Sequence, residues 1–591
     1  MKPQPFEALL ARVVRRRMRS EAPEQLQQVL QTWLQRSPQS AAAHALAGLI
    51  EGLAGDVPNG RRKLQLAATA PGACTLWAMA QWHLLGAEGA GDLAAARTCL
   101  EQALAIDPTD ADCWCALAQL EGAESRWLPA AQAASRACEL DAHTALPWLI
   151  RAELALQSQD LALAQAACAE ALARDPGSAA GYELQARVLA QAGQLARACE
   201  QLELAMMLQP PAPRLLIQLA QWGLLGGDPS QRQPALARAR QAAALAPNEW
   251  RAVLLEGQAL QAQRRHAEAA ARLGAAVQAH PQVVELRAAL VCSALVLGKP
   301  ELAEQTMEQG LAAGADASAI ASLRLDTDLR LARWPAAFAA MQEGQPELAQ
   351  GESVHRFEAA ALLDLLTFTR WCAPLAATGV RVEVLVPPQD ASFVERVPGV
   401  SAVRSDMPLA PWPTLDTLPG RLGLLSPAQS LSGPWLHSAP AAQQAWRQHL
   451  QHLPRPWLFV DVGEAADADL IDLLGAELAR RQGSLLLGRP MPAWEEGGHA
   501  VRIQHVQPES LDDAAACLTV ADERWLLDGE LAALTSGLGL EARVYVRLMH
   551  HPYWAGQGPL CAWYPGVTAV RETLDGWPAR SAATGLAAPT A

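Results

Sequence analysis

At 591 residues the chain is too long for a single hydrophobic core, so two or three domains are expected. Its formal charge of −14 argues against nucleic acid as the main partner, because phosphate binding needs a basic surface. No apolar run approaches the roughly 20 residues of a membrane helix, and Met1 to Glu7 lacks the apolar stretch of a secretory signal, so a cytoplasmic protein without membrane insertion is expected.

Residues 1–21 are locally basic (Arg12, Arg15, Arg16, Arg17, Arg19) and read as an N-terminal capping helix with a solvated face. A ladder of prolines follows. Pro176 and Pro210 stand 34 residues apart, as do Pro247 and Pro281, and Pro108 precedes Pro176 by 68. Counted from the third residue after each proline, small residues recur at positions 8, 20 and 27. They are Ala118, Ala130 and Ala137; Ala152, Ala164 and Ala171; Ala186, Ala198 and Ala205; and Gly257, Ala269 and Ala276. Position 4 is large: Trp114, Trp148, Tyr182, Val253. Helices can approach closely only where side chains are small, which is what a stacked helical hairpin requires. Two steps, Pro71 to Pro108 and Pro210 to Pro247, are 37 long and hold Gly-rich insertions at Gly86–Gly91 and Gly226–Pro229.

This pattern resembles the tetratricopeptide-repeat (TPR) family over residues 22–345, about nine repeats when Pro38, Pro71 and a frame at Ala315 are counted. The resemblance implies an α-helical TPR superhelix whose concave wall is lined by first-helix positions 2, 5, 9 and 12. Those positions include Asp112, Gln119, Glu153, Glu183, Arg187, Arg251 and Gln258, with Cys115, Gly122, Leu156 and Gln261 beside them. With three Lys and two Asn in the chain, neither a Lys/Asn carboxylate clamp nor an Asn ladder for peptide backbone fits. A mixed groove of Leu, Glu, Gln and Arg suits an amphipathic helix or a folded protein client.

Beyond about Gly344 the period ends. The runs 380–386, 457–462, 484–488, 501–506, 524–528 and 542–548 read as buried strands, and helical periodicity covers 355–378, 441–452, 466–482, 510–520 and 530–538. That alternation predicts parallel α/β layers. A Pro-rich stretch over 407–439 divides the region into lobes at 355–440 and 455–578, followed by a disordered tail at 579–591.

Ala361-Leu362-Leu363-Asp364 followed by Phe368, Arg370 and Trp371, the turn Val397-Pro398-Gly399-Val400, Asp528-Gly529-Glu530, and the pairs Tyr553-Trp554 and Trp563-Tyr564-Pro565 together resemble the two-lobed, Rossmann-type GT-B glycosyltransferase module related to heptosyltransferases and O-GlcNAc transferase. The resemblance implies a nucleotide-sugar donor between the lobes, near Asp364, Asp528, Trp554 and Tyr564. The chain departs from the family where a diphosphate is held: Ala361 and Leu363 replace loop glycines, Gly529 and Glu530 replace hydroxyls, and Ala533 replaces the histidine. No catalytic base can be named. The expected protein is therefore a TPR scaffold with a non-catalytic glycosyltransferase-like domain and no cofactor. The alternative is a protein O-glycosyltransferase that uses a nucleotide sugar on Ser or Thr of a bound protein such as flagellin. His550-His551 does not read as a metal pair, since adjacent residues point apart, and the eleven scattered cysteines read as buried thiols.

Overall fold

The computed structural model describes residues 5–18, 23–69, 71–84, 92–226, 229–345, 354–406, 411–429, 433–462, 468–489, 491, 494, 502–548, 550–556 and 559–578. The expected tail at 579–591, the Gly86–Gly91 insertion, Gly227, Asp228 and parts of the Pro-rich stretch lie outside these residues. Two compact units, Met1–Trp222 and Gly223–Ala591, make up the chain.

Two helices, Pro5–Arg17 and Pro23–Arg36, precede nine helical hairpins among the described residues. Their first helices are Ala41–Leu53, Ala73–Leu84, Ala111–Ala123, Leu146–Gln157, Ala179–Gln191, Pro213–Leu225, Trp250–Ala262, Val284–Val296 and Ala317–Arg330. Each proline of the ladder stops one helix and sets up the next. A residue before proline is driven out of the helical region, so the preceding helix ends. Two residues after Pro38, Pro108 and Pro176 stands a capping side chain: Ser40, Asp110 and Ser178 accept backbone N–H bonds from Ala43, Asp112 and Gly181 at 3.4, 3.1 and 3.1 Å.

Position 4 has a use that its size alone did not announce. His44 Nε2, Trp114 Nε1 and Arg287 Nη2 bond the carbonyls of Pro38, Pro108 and Pro281, six residues back, at 2.8, 2.9 and 2.6 Å. A further period-34 signal lies in the backbone. Ser125, Gln159 and Gly193 have φ of 58°, 64° and 77°, and Arg264, Gly298 and Ala332 have 61°, 67° and 56°. These residues form the left-handed turn that joins the two helices of each hairpin. The small residues at positions 8, 20 and 27 are buried, and at Gly257 the approach leaves no room for a side chain: a Cβ there would lie 2.6 Å from Leu273 Cδ2.

Arg15 corrects the reading of the first helix as a solvated face. It is 3% exposed and ion-paired to Asp110 at 2.9 Å, because the helix lays Ala11 and Val14 against apolar side chains of the first hairpins and carries Arg15 in with them. Arg12, one turn earlier on the same side, stays half-exposed 3.7 Å from Asp107.

In the second unit the parallel strands β1 (Val354–Glu358), β2 (Arg381–Leu385) and β3 (Val400–Arg404) form one sheet in that order. A second, all-parallel sheet holds β4 (Trp457–Asp461), β5 (Ser484–Leu487), β6 (Arg502–His505), β7 (Glu523–Leu527), β8 (Ala542–Val546) and β9 (Val567–Arg571). Its order, β6-β5-β4-β7-β8-β9, is doubly wound, with the reversal between β4 and β7. Strands β4 and β5 are buried on both faces, which is why they read as unbroken apolar runs.

The helix expected over 355–378 begins with strand β1 instead. Phe357 points into the core while Arg356 pairs across the sheet with Glu383 at 3.0 Å, an alternation too short to stand out. Strands β3 and β9 were likewise not anticipated, each following a Gly turn. At Gly399 glycine is obligatory: φ is 90° and a Cβ would lie 2.4 Å from Ala373 N.

The sequence places the change of architecture near 345, but the compact unit that holds both sheets starts at Gly223. Shared packing explains this. Phe338 and Met341 of the last hairpin belong to one core with Phe357, Trp371 and Trp563, and Trp334 meets the Trp563 ring edge-on at 5.7 Å. Arg264, at its hairpin turn, reaches Glu572 at 2.6 Å and Asp469 at 3.0 Å.

These turns make a sharp pair of variants. Ala332→Gly should raise stability by about 0.5–1 kcal/mol, since it relieves a left-handed non-glycine. Arg264→Gly relieves the same strain but removes both carboxylate contacts, and should lower stability in urea titration.

Candidate functional site

The first candidate lies in the repeat groove of the N-terminal unit. Glu153 accepts both prongs of the Arg187 guanidinium, one repeat further on, at 2.7 and 3.0 Å. Glu183 accepts Gln209 Nε2 at 2.6 Å and Arg214 Nη2 at 2.7 Å. Asp112 faces Arg15 at 3.5 Å, and Gln119 is exposed. In the other unit, Arg251 lies 3.5 Å from Glu249 and Gln258 is exposed. Of the anticipated wall, Glu153 and Glu183 are thus paired with arginines of the next repeat. Gln261 is not on it: it is buried and donates to Ala289 O at 2.7 Å and Ser293 Oγ at 2.8 Å, pinning one hairpin to the next.

An open cleft of about 410 Å³ is lined by Leu156, Gln157, Gln159, Arg187, Gln191 and Trp222. Leu156 and Arg187 stand at expected groove positions; the three glutamines and Trp222 were missed. Gln159 is the left-handed turn residue of its hairpin, so the 34-residue turn period could have located it. Glu153 holds Arg187 in place, the glutamine amides offer both donors and acceptors, and Leu156 and Trp222 supply apolar surface. Such a cleft can grip a side chain and adjacent backbone of a protein ligand.

The second candidate is the set of residues expected around a sugar donor. Trp554 and Tyr564 are both 0% exposed; their rings stack at 4.2 Å, and Tyr564 Oη meets Thr367 Oγ1 at 2.9 Å. They are core residues with no surface to offer a ligand. The Asp528 carboxylate is enclosed and held by Arg547, Nε to Oδ1 at 2.9 Å and Nη2 to Oδ2 at 3.4 Å. Burial raises its pKa, and Arg547 opposes that rise. Gly529 has an extended φ of 176°, and Glu530 opens the helix Glu530–Gly537.

Asp364 behaves differently. It sits in the first turn of Leu362–Phe368 and accepts a 3.1 Å hydrogen bond from Tyr553 Oη. Burial, then the nearby Asp416 charge, push its carboxyl up to about 6. Burial raises Asp416 as well. Tyr553 is fixed against Trp563 at 4.7 Å and beside the His551 ring at 4.4 Å. Asp416 and Arg547 were not singled out in the sequence, and Tyr553 only as part of a signature, because each acquires its role from a partner elsewhere in the chain. Burial pushes the neighbouring His550 down to about 4. Among the described residues no group of three His, Cys, Asp or Glu side chains could hold a metal.

The Asp364 shift has a definite sign. The native protein keeps its proton up to about pH 6, whereas the unfolded chain releases it near about pH 4, so this group loses stability for the fold as pH rises through that window. Asp364→Asn should therefore raise the melting temperature at neutral pH and leave it nearly unchanged in acid, a difference that a melting series across pH reads directly.

Residues 77–120 match the family model of the tetratricopeptide repeat. No curated protein matches the chain. Similar solved structures include YrrB, a TPR protein with an unusual peptide-binding site, at 20% identity over 33% of this chain and 98% of that one, with a TM-score of 0.29. Pseudomonas aeruginosa PilF is similar at 19% identity over 36% of this chain and 95% of its own, with a TM-score of 0.32. Yeast Tom70 is similar at 16% identity over 48% of this chain and 62% of its own, with a TM-score of 0.34. The family match and the proline-capped hairpins with their left-handed turns agree: this chain carries tetratricopeptide repeats.

Proposed function

We propose that the chain is a protein-binding scaffold: the repeats capture a protein client, and the sheet-bearing region is a GT-B-like module without glycosyl-transfer activity. The cleft of Leu156, Arg187 and Trp222 carries the first half, since it combines apolar surface with oriented polar groups on a repeat wall. Two parallel sheets, the larger of them doubly wound about β4 and β7, support the kinship of the module. Loss of donor chemistry is supported by the placement of acids. Asp364 and Glu530 occupy the first turns of the two helices that would face a diphosphate, where a negative charge opposes another anion. The Asp528 carboxylate is already taken by Arg547.

One observation favours the enzyme reading: a carboxyl raised to about 6, as at Asp364, suits general acid–base work near neutral pH. Titration with UDP, GDP and CMP sugars separates the two. A donor at about 100 times its Kd would stabilise the protein by about 2.7 kcal/mol, and the scaffold reading expects flat melting curves for all of them. A saturable rise with one donor, abolished by Asp364→Ala, would establish the enzyme instead. For the client, Trp222→Ala should reduce retention on the purified protein by about tenfold, the usual cost of an aromatic anchor being 1–3 kcal/mol or more.

A further inference from the structure

The groove is not empty along its whole length. The second and fifth residues of each first helix are among those expected on the groove wall. In Ala73–Leu84 these are Cys74 and Trp77, and in Ala111–Ala123 they are Asp112 and Cys115. All the partners of Arg15 lie on this wall or at its rim. Its guanidinium stands 5.2 Å over the Trp77 ring, Nη1 is 2.9 Å from Asp110 Oδ2, and Nε is 3.5 Å from Asp112 Oδ2. Asp110 is also the N-cap of Ala111–Ala123, so its carboxylate is pre-oriented by the Asp112 N–H. One turn earlier, Arg12 approaches Asp107 at 3.7 Å. Ala11 and Val14, spaced to share a face with Arg15, are 2% and 0% exposed in one cluster with Ala43, Leu46 and Trp77.

We infer that the helix Pro5–Arg17 is an intramolecular occupant of the client groove, holding the place of a basic amphipathic client helix that must displace it. This rests on the scaffold reading and specifies the client's chemistry. The client presents arginines three residues apart to Asp107, Asp110 and Asp112, with small or β-branched apolar residues between them. A 13-residue helix has little stability of its own, so it depends on the groove it covers. Its hold rests on one guanidinium shared between Asp110, Asp112 and the Trp77 ring, partners that any arginine placed there would find. Those two features make exchange for an external helix of the same pattern feasible.

The test uses the full chain with Arg15→Glu, which turns the anchor against Asp110 and Asp112, and Arg15→Gln as a milder second variant that leaves the groove unchanged. Cys74 lies half-buried beside Arg15, and burial pushes its thiol up to about 11. Its alkylation by N-ethylmaleimide, mapped by mass spectrometry, should accelerate by about tenfold or more in Arg15→Glu, while fully buried Cys168 and Cys372 stay unreactive and so report an intact fold. A fluorescent peptide with the sequence of residues 5–17 should bind Arg15→Glu about tenfold or more tightly than the wild-type chain, whose groove is occupied. If all three thiols react in Arg15→Glu, the same two measurements are read on Arg15→Gln. Unchanged Cys74 reactivity in the folded variant, equal peptide affinity for both chains, or binding to neither overturns the inference. The thiol readout needs no client, so its failure leaves the scaffold reading standing, whereas loss of client binding in Trp222→Ala bears on that reading alone.

Discussion

Everything in the repeat region depends on how closely two helices can approach. Alanine at positions 8, 20 and 27 leaves the inner faces of each hairpin nearly flat, so backbone meets backbone and little space remains for anything larger. At Gly257 even a methyl group would collide with Leu273. The punctuation serves the same end. Proline ends a helix, a cap opens the next, and a left-handed residue reverses the chain so that small positions face one another. The side chain at position 4, reaching back to the proline carbonyl in the repeats of His44, Trp114 and Arg287, ties that punctuation to the helix it begins.

Aromatic packing plays the corresponding part where helices meet sheets. Trp563 receives Trp334 and Phe338 from the last hairpin and Phe368 and Trp371 from the first α/β helices. Arg370 is buried among them, 4.2 Å from Trp371 and 5.4 Å from Trp563, and its Nη1 donates to the Trp563 carbonyl. Burial lowers the pKa of this cation to about 10, and ring faces take the place of an acidic partner. The aromatic residues that resemble a glycosyltransferase signature are therefore explained by packing alone. The last hairpin cannot be separated from the sheets without opening that core.

Electrostatics distinguishes the two carboxylates that looked equivalent. Asp528 has Arg547 on the next strand, which satisfies its charge inside the protein. Asp364 has a tyrosine hydroxyl and a second acid, Asp416, so its ionisation is resisted. Burial raises both carboxyls, and they differ in what opposes it, an arginine at Asp528 and a tyrosine hydroxyl at Asp364.

Repeats and most strands were legible in the sequence because each is written locally: a period, a proline, an apolar run of five or six residues. Two kinds of glycine in the sheet region were also readable in part. Gly399, kept at its turn, proves to be required by a positive φ and by the Ala373 backbone, while Ala361 stands in extended backbone where the family has glycine. Strand β1 was not legible, since its alternation covers five residues next to a helical stretch. Burial of Arg15, the Tyr553–Asp364 bond and the Arg547 clamp join residues 95, 189 and 19 positions apart. Local pattern determines which elements form and which faces they bury. Long-range contact alone decided which charges are paired, which aromatics are sealed away and which helix lies in the groove, because those depend on neighbours that the chain supplies only after folding.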